Sequence, residues 1–302
     1  MNLSWKRTFW NWQTFYRSDM IAVVYSGSRY ADWKLADKKG LVAQFRTTGI
    51  NPFFNDQKHI LQILHKKSEL INFAEKIKKV YFFGAGASSD ERKDLVFNAL
   101  SHFFKHGKII VNTDQHAAAI ATCHEEPGIA GIIGSGSTAA IFDGKKIKPN
   151  NFGLGYILGD EGSANWLGRQ VLKDYLYETL PAGFRDKFKK KYDLDRKEIL
   201  DRVYKQQQPT LYLSSFVDFL LENREYPYVK ELVCRGIDLY LNTYILPLKK
   251  QSPALPIYIV GTVASNFGDW LLEVAREHHL HISSIIKEPI YNLLTYYSNK
   301  NY

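Results

Sequence analysis

The sequence predicts an α/β fold with mixed sheets, built as two related lobes about a cleft. Three observations predict it. Apolar strand-like runs alternate with helical patterns in both halves of the 302-residue chain. The stretches VVYSGSRYA (23–31) and IIGSGSTAA (132–140) match at an offset of 109 residues. Each has two apolar residues, a Ser-Gly-Ser turn and an alanine before the next strand, as a duplicated β unit requires. Four glycine-bearing turns follow apolar strands: Ser26-Gly27-Ser28, Gly84-Ala85-Gly86, Gly134-Ser135-Gly136 and Gly261-Thr262.

The elements follow in order. Residues 21–48 read strand, turn, strand, strand (IAVVYS, ADWKLAD, LVAQFRTT), and GINPFF (49–54) is a loop. Residues 57–79 carry Ile60, Leu61, Leu64, Ile71, Ala74 and Ile77 at helical spacing. VYFFGAG (80–86) is a buried strand running into a glycine loop. SSDERKDLVFNALSHFFKHG (88–107) has a Ser/Asp start and a Gly stop, the marks of a helix. KIIVNTD (108–114) is a strand and QHAAAIATCH (115–124) a short helix. The second unit opens with GIAGIIGSGSTAAIFDG (128–144), and residues 163 to about 246 are mostly helical. LPIYIVGTVAS (255–265) is a strand into a turn, NFGDWLLEVAREHH (266–279) the helix it feeds, and EPIYNLLTYY (288–297) the final helix.

Length allows about two domains. An apolar fraction of 45% and a charged fraction of 24% are those of an ordinary soluble protein. No run approaches the roughly 18 apolar residues of a membrane span, so no membrane partner is expected. Cys123 and Cys234 are the only cysteines, which excludes a disulfide framework and a four-thiolate metal site. A reducing cytoplasm is the natural setting. The net charge is +9, but the lysines recur in helical patterns that also carry acids, as in DKFKKKYDLDRKE (186–198). The expectation is a solvated basic surface with no nucleic-acid partner. Residues 1–19 hold three of the six tryptophans without periodicity, and Met20 opens a clean strand. Translation is expected to start at Met20, leaving 1–19 as a non-native extension; the alternative is an aromatic arm.

Glycine lets backbone approach a ligand, and strand-end N–H groups can hold phosphate. None of the four turns fits the Walker A or dinucleotide glycine pattern, and each alone is an ordinary turn; together they point to a nucleotide cleft. Asp114 ends a strand and opens a helix. It is either an N-cap or a general base at the carboxyl end of a sheet strand. In GLGYILGDEGSANWLG (153–168), Asp160 and Glu161 are flanked by Gly159 and Gly162, with Ser163 before a helix. Asp160 or Ser163 can cap that helix. The acids can also meet sugar hydroxyls or hydrated Mg²⁺. His59, His65, His116 and the run at 278–281 show no ligand geometry, and Cys123 reads as a small core residue.

Together these residues resemble the N-acetylglucosamine kinase-like branch of the BadF/BadG/BcrA/BcrD-type ATPase family, in the actin-like and sugar kinase superfamily. GYILGDEGSA (155–164) is the most specific element; VYFFGAG, the NTD at 112–114, GIIGSGS with its FDG, and IVGTVAS match in order and spacing. The likeness runs from about Ile21 to Tyr297.

The resemblance implies a ribonuclease H-like repeat in each lobe and ATP with Mg²⁺ in the cleft. The N-terminal lobe would be 20–114, completed by 288–302, and the C-terminal lobe 115–287 with a helical insertion at about 163–246. Loops 25–31 and 134–138 would hold phosphate, through Ser26, Gly27, Ser28, Arg29, Gly134, Ser135, Gly136 and Ser137. Gly261 and Thr262 would belong to the adenosine loop. Asp114 would be the general base. Asn51, Gly84, Gly86, Asp114 and Asp160 would lie on the sugar side, with Asp160 and Glu161 meeting the metal through water. A homodimer is expected from the family alone.

The first loop departs from the pattern. The family reads close to Asp-Ser-Gly-Ser-Thr-Lys-Thr there, and this chain reads Tyr25-Ser26-Gly27-Ser28-Arg29-Tyr30-Ala31. The acid, the lysine and both threonines are gone. The second loop reads Ser-Thr-Ala where Asn-Ser is usual. The expected function is ATP-dependent phosphorylation of an amino sugar such as N-acetylglucosamine. The alternative is a non-catalytic sugar or nucleotide binder. A dehydratase-activating ATPase would need cluster-binding cysteines, for which two are too few.

Overall fold

The computed structural model describes residues 19–27, 29–206 and 208–302. The expectations for Ser28 and for residues 1–18 lie outside these residues.

The strands are β1 (Met20–Ser26), β2 (Tyr30–Asp37), β3 (Gly40–Thr48), β4 (Ile77–Gly84), β5 (Lys108–Thr113), β6 (Gly128–Ile133), β7 (Ser137–Phe142), β8 (Ile257–Val260) and β9 (Ile282–Ile286). They form a five-stranded sheet, β3-β2-β1-β4-β5, and a four-stranded sheet, β7-β6-β8-β9. In the first, β1 pairs antiparallel with β2 and parallel with β4. In the second, β6 pairs antiparallel with β7 and parallel with β8. The twin turns therefore sit at equivalent places: β1-β2-β4-β5 repeats as β6-β7-β8-β9, and β3 has no counterpart.

The alternation of strand and helix gives this class because each sheet face must be covered by an apolar helix surface. β1 and β6 are central and buried along nearly their whole length, so they read as unbroken apolar runs. β3, at the edge, alternates between half-buried and exposed positions instead. The helix Asp114–Cys123, rich in small residues, contacts strands of both sheets. Its alanines let two backbones approach closely. The final helix, Ile290–Asn301, packs on β1 and β2 and on that same helix.

The helical pattern at 57–79 resolves differently. Helices span Gln57–His65 and Ser68–Phe73, and Ile77 is the first residue of β4. Ile77 is fully buried either way, so its periodicity did not separate helix from strand. β9 and the short helix Gly155–Leu158 were not anticipated. Between residues 164 and 251 the described regular elements are all helices joined by short turns, with one π-helical turn at Leu241–Ile245. Among the described residues, no helix is long and apolar enough to cross a membrane.

Candidate active site

A cleft of about 620 Å³ is lined by residues from both sheets. It is a size that suits a small-molecule ligand. Strand ends build it: Tyr25 lies at the end of β1 and Gly27 just beyond it, Thr113 ends β5 and Asp114 follows, Gly134 to Gly136 join β6 to Ser137 at the start of β7, and Gly261 with Thr262 follow β8. These carboxyl ends are where an open α/β sheet presents loops to a ligand.

Asp114 is the first residue of its helix. Thr113 is the N-cap, its hydroxyl accepting from His116 N–H at 3.1 Å. The carboxylate is thus freed from capping, and accepts from Gln115 N–H at 2.9 Å. That bond and the helix N-terminus favour the anion. Burial works the other way and is stronger, with the Asp160 charge adding to it, so Asp114 is pushed up to about 6. A carboxylate poised near neutrality can exchange a proton with a substrate hydroxyl.

Asp160 has a positive φ of 61°. The chain turns there, and Ser163, not Asp160, caps the following helix. Asp160 Oδ1 accepts from Ser137 N–H at 3.1 Å, and Asn165 Nδ2 faces Oδ2 at 3.5 Å. Its carboxyl is also raised, first by burial, against the pull of those bonds. The second loop is itself docked on this helix, since Ala164 N–H donates to Gly134 O at 2.9 Å and Asn165 N–H to Ser135 O at 3.1 Å. Gly136 lets the loop and the carboxylate approach closely: a Cβ would fall 2.9 Å from Asp160 Oδ1.

Glu161 does not line the cleft. Its carboxylate accepts from the Tyr244 hydroxyl, while its carbonyl accepts from Ser137 Oγ at 2.7 Å. Asn51 does line it, and Oδ1 accepts from Phe53 N–H at 2.9 Å. Gly86 lines it with φ +81°, where a Cβ would lie 2.2 Å from Asn51 Oδ1. Gly84 is outside the lining, tucked against Phe82 and the Ile50 carbonyl. Ser26 is also withdrawn: it is fully buried, and its hydroxyl exchanges hydrogen bonds with Ile50 N–H and C=O at 2.8 and 2.9 Å. It fastens the first loop to the Asn51 loop. Arg29 leans outward, 3.7 Å from Asp218 of the helical region.

Tyr25 lines the cleft at the first-loop acid position. Burial, then Asp114, Asp32 and Glu288, push its hydroxyl far above the usual tyrosine range, so it is neutral. Sequence reasoning missed Asp32, Arg46 and Glu288. Arg46 Nε donates to Asp32 Oδ1 at 2.5 Å and its Nη2 to Glu288 Oε1 at 3.0 Å. The same guanidinium lies 4.9 Å from the centroid of the Tyr30 ring, the position of the missing lysine. A strand register placed Asp32 opposite Tyr25 and Arg46 opposite Asp32. That signal was available only once the hairpin was paired.

The fold and the cleft define a class: the two-sheet α/β architecture of actin-like ATPases and sugar kinases. A Porphyromonas gingivalis protein named as a putative N-acetylglucosamine kinase is 34% identical over 93% of this chain and 100% of its own, with a TM-score of 0.87. The chain belongs to the family of that protein. Two more distant structures share the fold alone. A putative N-acetylglucosamine kinase of Chromobacterium violaceum is 16% identical, covers 93% and 99% of the two chains, and has a TM-score of 0.61. A ROK family glucokinase of Streptomyces griseus, in complex with glucose and AMPPNP, is 12% identical, covers 92% and 97%, and has a TM-score of 0.57. No family model matches the chain.

Proposed function

We propose that the protein is an ATP-dependent kinase of an amino sugar such as N-acetylglucosamine, of the BadF/BadG/BcrA/BcrD type, acting as a cytoplasmic enzyme. The observation that carries this reading is Asp114, pushed up to about 6 at the floor of a cleft flanked by the repeated glycine turns. Asp114 takes the proton of the sugar hydroxyl as that oxygen attacks the γ-phosphorus. The new O–P bond forms as the bond to the β-phosphate oxygen breaks, and ADP leaves. The backbone N–H groups of Ser135 and Gly136 supply phosphate contacts, since those of Gly27 and Gly134 already donate to Tyr30 O at 3.0 Å and Gly136 O at 2.9 Å within their own loops. Gly261 and Thr262 border the nucleoside, and Asn51, Gly86 and Asp160 border the sugar.

Among the described residues, no group of three acidic, histidine or cysteine side chains could hold a metal ion. Mg²⁺ in such enzymes needs only one or two carboxylates beside the phosphates, and Asp160 fits that demand where Glu161 does not. Bound there with ATP, Mg²⁺ would neutralise phosphate charge.

Purified protein with Mg·ATP and a panel of amino sugars tests the proposal. ADP release should depend on one class of sugar and vanish in Asp114→Asn. A second reading, a non-catalytic sugar or nucleotide binder, is favoured by Tyr25 standing where the first-loop acid is expected. It gains if wild type binds a sugar by calorimetry yet releases no ADP with any.

A further inference from the structure

Among the described residues, two buried side-chain oxygens of cleft-lining residues have no hydrogen-bond partner: Gln115 Oε1 and Asn165 Oδ1. The residues are 9% and 3% exposed. In each amide the nitrogen end is committed. Gln115 Nε2 donates to the Ala130 carbonyl at 2.7 Å. Turning that amide over would set oxygen against oxygen. Asn165 Nδ2 faces Asp160 Oδ2 at 3.5 Å, and turning it over would set its oxygen against a carboxylate. The network therefore assigns the unmet atom in both residues as an acceptor.

A buried carbonyl without a donor is costly, and native folds keep few of them. These two sit beside the two acids of the cleft. Gln115 follows Asp114 and gives it a backbone N–H, while Asn165 steadies Asp160. Two unmet acceptors thus lie buried beside the acids of the cleft. They call for a ligand that brings donors.

We propose that Gln115 and Asn165 form a donor-reading subsite, whose side-chain oxygens accept O–H or N–H groups of the bound sugar next to Asp114. The proposal rests on the sugar kinase reading and adds a chemical rule for the substrate. A neutral, hydroxyl-rich sugar carrying an amide N–H satisfies the floor. A ligand that places only an acceptor there, such as fluorine, a ketone oxygen or a carboxylate, leaves the oxygens unmet or opposes them. Sites built on buried polar partners reject such analogues far more sharply than apolar pockets reject a missing methylene. Both oxygens are shielded from bulk water, which is what makes a mismatch expensive. Reaching them takes a side-chain adjustment of the kind common on binding.

The test is a cycle between protein and ligand. Calorimetry would measure the affinity of wild type, Gln115→Met and Asn165→Leu for N-acetylglucosamine and for its deoxyfluoro analogues at each hydroxyl. At least one analogue should bind wild type about tenfold more weakly, the worth of one hydrogen bond. In the variant that lacks the matching oxygen, the same analogue should lose less than about threefold, because the two changes share a partner. Equal losses in wild type and both variants would overturn the subsite while leaving the sugar reading intact. Wild type binding no sugar at all would overturn both. Should one variant fail to fold, the other variant and the wild-type analogue series still decide: analogues that all bind wild type as well as the parent sugar refute the proposal.

Discussion

Tyr25 and Asp32 stand directly opposite each other across the β1–β2 ladder, and both line the cleft. The acid absent from position 25 therefore has a carboxylate neighbour one strand away. That neighbour is held by Arg46 at 2.5 Å. The first loop has not simply lost a charge. It sits in a local arrangement of Asp32, Arg46 and Glu288 around a neutral phenol.

Tyr25→Asp would place a second carboxylate within reach of Asp114, since the Tyr25 hydroxyl already senses the Asp114 charge. Like charges disfavour ionisation. The acidic limb of the kcat/KM profile for sugar should move up by about one pH unit, whereas Tyr25→Phe should leave it in place. A limb that stays put in Tyr25→Asp would mean that Arg46 or a bound cation absorbs the new charge.

Asp114 links function to stability. Its carboxyl is raised from 3.8 to about 6 in the fold, mainly by burial. The folded state therefore holds a proton that the unfolded chain has released between about pH 4 and 6, and stability falls as pH rises through that window. Asp114→Asn copies the protonated form. It should be inactive, yet more stable than wild type by roughly 1–3 kcal/mol at pH 7.5. Denaturant melts at pH 7.5 and at pH 3.5 check this, because the advantage should disappear at the lower value.

The acids at 160 and 161 separate in the same way. Asp160 faces the cleft and Glu161 turns to Tyr244. Asp160→Asn should weaken sugar binding by about tenfold or more, the value of a hydrogen bond to a charged group. Glu161→Gln should change it by less than about threefold. Calorimetry with the sugar that supports ADP release makes the comparison.

The sequence made the two related units legible because β1 and β6 are central strands: their turns must be tight, and the flanking residues apolar. Of the cleft lining, Asp114 and Asp160 were legible as acids at a strand end and in a glycine-flanked turn, and the fold places both at the cleft. The lining was not legible where orientation decides. GDEGSA places two acids side by side, but only the turn at Asp160, with its positive φ, sends one inward and the other to Tyr244. Ser26 fits a phosphate loop by pattern, and the fold uses its hydroxyl to bind Ile50. β9 escaped notice because HISSII is short and half exposed. Gln115 and Asn165 look like ordinary helix residues until their free oxygens are found beside the acids.

Three glycines of the cleft give a graded test of how tightly its loops are built. At Gly261, φ is +133° and a Cβ would sit 2.2 Å from the Ile133 carbonyl oxygen, so strain and clash fall on one backbone that cannot give way. Gly261→Ala should cost roughly 2–4 kcal/mol, a Tm loss on the order of 3–6 °C in a chain of this size. At Gly136 the clash is with the Asp160 carboxylate at 2.9 Å, a side chain that can swing aside. Gly136→Ala should therefore melt within a few degrees of wild type but bind sugar about tenfold more weakly, as Asp160 leaves the Ser137 N–H. At Gly134 nothing lies within 4 Å of an added Cβ, and Gly134→Ala should be close to wild type in both measurements. The order matters more than any single value. Equal sugar affinities for Gly134→Ala and Gly136→Ala would show that the Asp160 carboxylate is not held by the second loop when sugar binds.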